Sequence, residues 1–196
     1  MITGGVVIAF VCWAFTFGWA WGNFWGKIGL SVVIVLTYSL IWQRPAVTFR
    51  AKSAALGVLS AAVLYGLFFL GNALAPLVLP GAHAQVGGIY GLGGGTSRLL
   101  VFLLLLFVTG PGEEIFWRGF LQSRMMAAWG TGRGYLAATL VYAGVHVFSG
   151  NPVLVIAALL AGAFWGVLYV WRRDLLLLIV SHSLWSAVIF AVAPVR

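Results

Sequence analysis

Residues Leu99 to Gln122 read LLVFLLLLFVTGPGEEIFWRGFLQ: ten apolar residues run into Gly-Pro-Gly and then into two adjacent acids, Glu113 and Glu114. They are two of the three acidic residues in a chain of 196. The surroundings are as apolar as the stretch itself, for 63% of the residues are hydrophobic, only 7% are charged, and the mean hydropathy is +1.08. Those fractions lie far outside a soluble globular domain. Apolar runs of about 18 or more residues cross a hydrocarbon core as helices, and several follow one another here. The sequence therefore predicts an all-α, polytopic transmembrane bundle of about seven helices with an intramembrane polar site, forming one membrane domain over residues 1–196.

Working outward from the quoted stretch, the expected spans run from about Ile2 to Trp21, Ile28 to Trp42 and Ala54 to Leu79, where Pro80 and Gly81 stop the third. The fourth begins near Arg98. Because proline kinks or restarts a helix, the two acids are placed on a helix that begins near Pro111 and runs to about Ala128. Tyr135 to Phe148, Pro152 to Trp171 and Leu175 to Ala193 complete the set. The segment between Pro80 and Ser97, with GGIYGLGGGTS, reads as a mobile Gly-rich loop.

The formal charge of +8 is distributed by topology. Arg44, Arg50 and Lys52 follow the second span, Arg124 and Arg133 the fourth, and Arg172 and Arg173 the sixth; only Lys27, Arg98 and Arg196 fall on the other side. This is the positive-inside pattern, so the N-terminus is expected to be cytoplasmic and the C-terminus outside, and no nucleic-acid partner is implied; the membrane is expected to be a bacterial inner membrane. The first span lacks a basic leader and a small-residue cleavage site, and reads as a retained anchor. The single Cys12 can form no intrachain disulfide and reads as a small packing residue. Trp13, Trp19, Trp21, Phe24 and Trp25 read as an interfacial aromatic belt.

A charge at the centre of a membrane helix costs about 2.5–3.5 kcal/mol on insertion scales, and such residues usually face the bundle interior. Glu114 and Arg118 are four residues apart on one helix face, with the acid N-terminal to the base, which favours an ion pair. Glu113 points roughly 100° away and has no charged partner at that spacing. The acids should therefore differ: Glu114 ionised and structural, Glu113 desolvated and available as a general base. His146, four residues after Tyr142, and His182, four before Ser186, also fall inside apolar spans, whereas His83 and Asp174 fall in loops and read as solvated. Facing helices assemble polar sites from such residues.

Hydrolysis suits this set best, with Glu113 and one histidine activating a water while the other histidine and a nearby hydroxyl hold the oxyanion. The same groups would also serve as zinc ligands, although the chain has no HExxH motif. A non-enzymatic transporter or an immunity-like binding protein is the other class that would bury such residues.

The order EExxxR (Glu113, Glu114, Arg118), then Tyr142 and His146, then His182 in a late apolar helix resembles the CPBP intramembrane proteases. That family includes type II CAAX prenyl endopeptidases and bacteriocin-processing or immunity-related bacterial proteins. The likeness covers residues 99–193. It implies that Glu113 and His146 activate the water, that Glu114 and Arg118 support the site, and that His182 helps to hold the oxyanion. Ser186 stands where the family usually has Asn or Asp. Members have been described both as metalloproteases and as metal-free glutamate proteases, so the resemblance leaves zinc or no cofactor open. It implies a membrane-embedded or lipidated peptide as substrate, with C-terminal processing or sorting-tag cleavage favoured.

Overall fold

The computed structural model describes residues 1–195, and Arg196 lies outside them. The described residues form eight helices: α1 (Ile2–Gly18), α2 (Phe24–Trp42), α3 (Ala51–Val78), α4 (Ala82–Gly91), α5 (Arg98–Trp129), α6 (Thr131–Gly144), α7 (Pro152–Arg172) and α8 (Leu175–Val192). Five of these, α2, α3, α5, α7 and α8, are long and apolar enough to cross a membrane. A helix lies over each of the seven expected spans, but α1, with 17 residues, and α6, with 14, fall short of the length that marks the other five. Between them the chain turns sharply, and polar side chains close the turns: Asn23 accepts from the Gly26 N–H, Asn151 from Leu154 and Asp174 from Leu177. Such caps satisfy the free N–H groups at helix starts. Asp174 is thus a structural cap, bonded also by the Ser53 hydroxyl, and not merely a solvated loop residue.

Three expectations change. The first span ends at Gly18 and has 17 residues, so Trp19 to Trp21 are outside it. The Gly-rich segment after Pro80 is partly folded: α4 packs on α7, where the Asn151 amide donates to the Gln85 carbonyl and the Gln85 side chain accepts from the Val153 N–H. Finally, the helix carrying the two acids does not restart at Pro111. α5 runs continuously through it, with π-helical turns at Leu105–Thr109 and Ile115–Gln122 on either side. Proline lacks an N–H and crowds the preceding turn. The wider π turns absorb that mismatch without breaking the helix, and π-bulges are frequent at functional sites.

Hydrogen bonds between remote segments show which helix ends lie together. At one end Tyr38 donates to the Met1 carbonyl, Arg124 to the Trp42 carbonyl, and Ser53 to Asp174. At the other, Asn23 donates to Thr96, the Val195 N–H to Tyr90, and Tyr65 to the Ala193 carbonyl. The helices over these segments therefore alternate in direction. Close approach depends on small residues, as is usual where lipid supplies no hydrophobic drive between helices. A Cβ on Gly110 of α5 would stand 2.7 Å from the Ser183 Cα of α8, and one on Gly57 of α3 would stand 2.7 Å from the Leu177 carbonyl. α8 is consequently wedged between α3 and α5.

Candidate active site

Glu114 is 0% exposed, in the middle of α5. Its Oε1 accepts from Arg118 Nη1 at 2.8 Å, one turn along the same helix, and lies 2.7 Å from His182 Nδ1 on α8. The guanidinium reaches further: Nη2 donates to the Gly162 carbonyl on α7 at 3.2 Å, and its central carbon lies over the Tyr142 and Trp165 rings, 4.9 Å and 5.4 Å from their centres. One carboxylate oxygen and one arginine thus tie α5, α6, α7 and α8 together. Gly162 is part of that arrangement. A Cβ there would stand 2.8 Å from the Tyr142 ring. The other oxygen of Glu114, Oε2, is buried without a hydrogen-bond partner.

Glu113 has a different setting. It is 8% exposed and lines a cavity of about 130 Å³ that also takes in Tyr142, His146, His182 and Ser186. That volume holds several waters, since one needs about 10–15 Å³. Its wall is otherwise apolar and largely aromatic, with Trp13, Phe24, Trp25 and Phe190 among the lining residues. Polar groups beside Glu113 come from the Trp117 indole, one turn on, and the Tyr142 hydroxyl. Arg118 and Glu114 stand behind this wall and do not line it.

His146 sits in the 3₁₀ turn Val145–Ser149 that ends α6, one turn beyond the helix proper. Its Nδ1 is 2.8 Å from the Tyr142 carbonyl. A carbonyl only accepts, so Nδ1 carries the proton and Nε2 keeps a lone pair. Trp13 donates its indole N–H to that nitrogen at 3.4 Å. Trp13 is 1% exposed and therefore belongs to the site, not to the interfacial belt. Trp19 and Trp21, at 51% and 68% exposure, fit the belt, while Phe24 and Trp25 line the cavity. Trp13 had no sequence signal of its own, because its partner lies 133 residues away.

His182 is stacked on Trp165, with centroids 3.9 Å apart and planes within 17°. The stack and the Nδ1 contact to Glu114 fix the ring so that it borders the cavity. Ser186 borders it too, but its hydroxyl donates to the His182 carbonyl at 2.8 Å, one turn back on its own helix. That bond uses the only proton the hydroxyl has. The remaining histidine, His83, is exposed on α4, away from these groups.

A zinc ion would need three or four donors converging within about 2.0–2.3 Å of one point. Among the described residues no group of three His, Cys, Asp and Glu is so placed. Glu114 is turned toward Arg118 and His182. The residues as arranged do not fit a zinc centre.

Residues 95–188 match the family model described as type II CAAX prenyl endopeptidase Rce1-like, a protease family, in keeping with the CPBP resemblance. The match runs from just before α5 to within the last third of α8 and contains all six residues singled out in the sequence. No curated protein and no solved structure matches the chain.

Proposed function

With an Rce1-like protease segment over residues 95–188 as premise, we propose that the chain is an intramembrane endopeptidase of a bacterial inner membrane. It would hydrolyse a peptide bond in a membrane-embedded segment by a water that Glu113 and His146 activate. The carrying observation is the split between two adjacent acids: Glu114 is engaged from two helices, while Glu113 alone borders a cavity large enough for water.

In this reading the Glu113 carboxylate takes a proton from the water as its oxygen attacks the scissile carbonyl carbon. His146 Nε2 exchanges its long 3.4 Å contact with the Trp13 N–H for the water's second hydrogen and so aims the attack. The carbonyl π pair moves onto oxygen, and His182 donates from Nε2 to that oxyanion while Nδ1 stays against Glu114. The C–N bond then breaks, the proton held by Glu113 passes to the departing amine, and an acid and an amine result. Arg118 is a positioning residue, balancing Glu114 and bracing α7. Transport is the weaker reading, because the positive partners on Glu114 oppose cation binding there.

Comparison of membrane proteomes from cells carrying wild type and Glu113→Gln tests this. Membrane proteins that keep an otherwise removed terminal segment are expected to accumulate only in the variant. Indistinguishable proteomes, with the variant as well expressed as wild type, would overturn the protease reading.

A further inference from the structure

The cavity lies wholly in one half of the bundle. From α1 it takes Trp13 and Phe17, near the end of that helix, and from α2 it takes Phe24, Trp25 and Ile28, at the start. The same rule holds throughout: the first half of α5, the last turn of α6 with the 3₁₀ turn that carries His146, the first turns of α7, and α8 from His182 onward supply the rest. Because the spans alternate, all these segments converge on a single end of the bundle. Ile89 and Leu92, in and just after α4, form its outer rim. None of the cavity residues comes from the other end.

The basic residues have the opposite distribution. The links α2–α3, α5–α6 and α7–α8 and the helix turns that flank them, which carry Arg44, Arg50, Lys52, Arg124, Arg133, Arg172 and Arg173, all belong to the end without the cavity. At the cavity end the described basic residues are Lys27 and Arg98. Basic links stay on the cytoplasmic side of a membrane.

Resting on the protease reading, we infer that the cavity opens to the extracytoplasmic face, and that the substrate is an exported protein held by a hydrophobic anchor, cut where that anchor meets the outer leaflet. An aromatic, mostly apolar wall suits the end of such an anchor. Unfolded backbone is tolerated at membrane depth where protein or a water-filled cavity surrounds it. A lipidated tail finished in the cytoplasm would lie on the wrong side.

Thiol labelling with a membrane-impermeant maleimide in right-side-out and inverted vesicles decides the face. Leu92→Cys, 42% exposed at the cavity rim, and Ala157→Cys, on the cavity wall, are compared with Arg133→Cys at the other end. Native Cys12, 5% exposed, serves as the unlabelled background. Leu92→Cys and Ala157→Cys should react in right-side-out vesicles and Arg133→Cys only in inverted ones. The reverse pattern would overturn the inference, and Leu92→Cys alone suffices if Ala157→Cys does not fold. Labelling is scored without turnover, so a failed protease reading would show separately, in the Glu113→Gln proteome.

Discussion

Replacing Arg118 by Ala removes two hydrogen bonds, to Glu114 and to the Gly162 carbonyl, and the cation–π contacts of the guanidinium with Tyr142 and Trp165. Glu114 would be left at 0% exposure with His182 as its one remaining partner. Breaking a buried ion pair from one side costs about 3–5 kcal/mol. At about 2–4 °C per kcal/mol for a chain of this size, the unfolding midpoint should fall by roughly 6–20 °C. Arg118→Lys should recover only part, since one ammonium cannot reproduce a fork that reaches Glu114 and Gly162 together. Adding Glu114→Gln to an Arg118→Met background should recover more, because it removes the stranded charge. Glu113→Gln, outside this network, should unfold near wild type yet lack turnover. Thermal unfolding in detergent, followed by the fluorescence of the ten tryptophans, reads all five proteins. An Arg118→Ala variant with a wild-type midpoint, alongside an unstable Glu113→Gln, would reverse the roles assigned to the two acids.

Ser186→Ala should cost far less than the roughly 10²–10³ in rate of a direct oxyanion donor, because the hydroxyl proton is held by the His182 carbonyl; His182→Ala should be severe and Ser186→Asn tolerated, as turnover rates in membranes would show. Trp13→Phe keeps an aromatic ring but deletes the N–H that competes with water for the His146 Nε2 lone pair, so kcat should rise by up to about fivefold, the equivalent of one neutral hydrogen bond of about 1 kcal/mol, with the fold intact; an unchanged or lowered kcat would refute that competition.

The membrane spans were legible because apolar length is a local signal, read without knowing what packs where. So was the Glu114–Arg118 pair, which needs only the helical repeat. α4 was hidden because its glycines resemble a linker, and what orders it lies elsewhere in the chain, in Asn151 and Val153. Continuity of α5 was hidden for another reason: Pro111 argues locally for a break, and only tertiary packing holds the π turns that absorb it. Within the site, composition suggested that buried His and Glu meet, but not which oxygen faces which nitrogen. The contact between His182 and Glu114 spans 68 residues, and that between Trp13 and His146 spans 133. No periodicity encodes them. Ser186 shows the same limit from the other side, since its helix position was evident but the direction of its O–H bond was not.

The 17 residues of α1 rise about 26 Å at 1.5 Å per residue, less than a hydrocarbon core of about 30 Å. Lipid meets so short a helix by thinning around it. α1 is also a wall of the cavity, through Trp13 and Phe17. Thinning of the lipid along α1 would dimple the bilayer beside the site and bring the water surface toward Glu113. A substrate anchor drifting along that flank would find its end already lifted toward water, so that part of the work of drawing a peptide bond out of oil falls to the elasticity of the membrane itself.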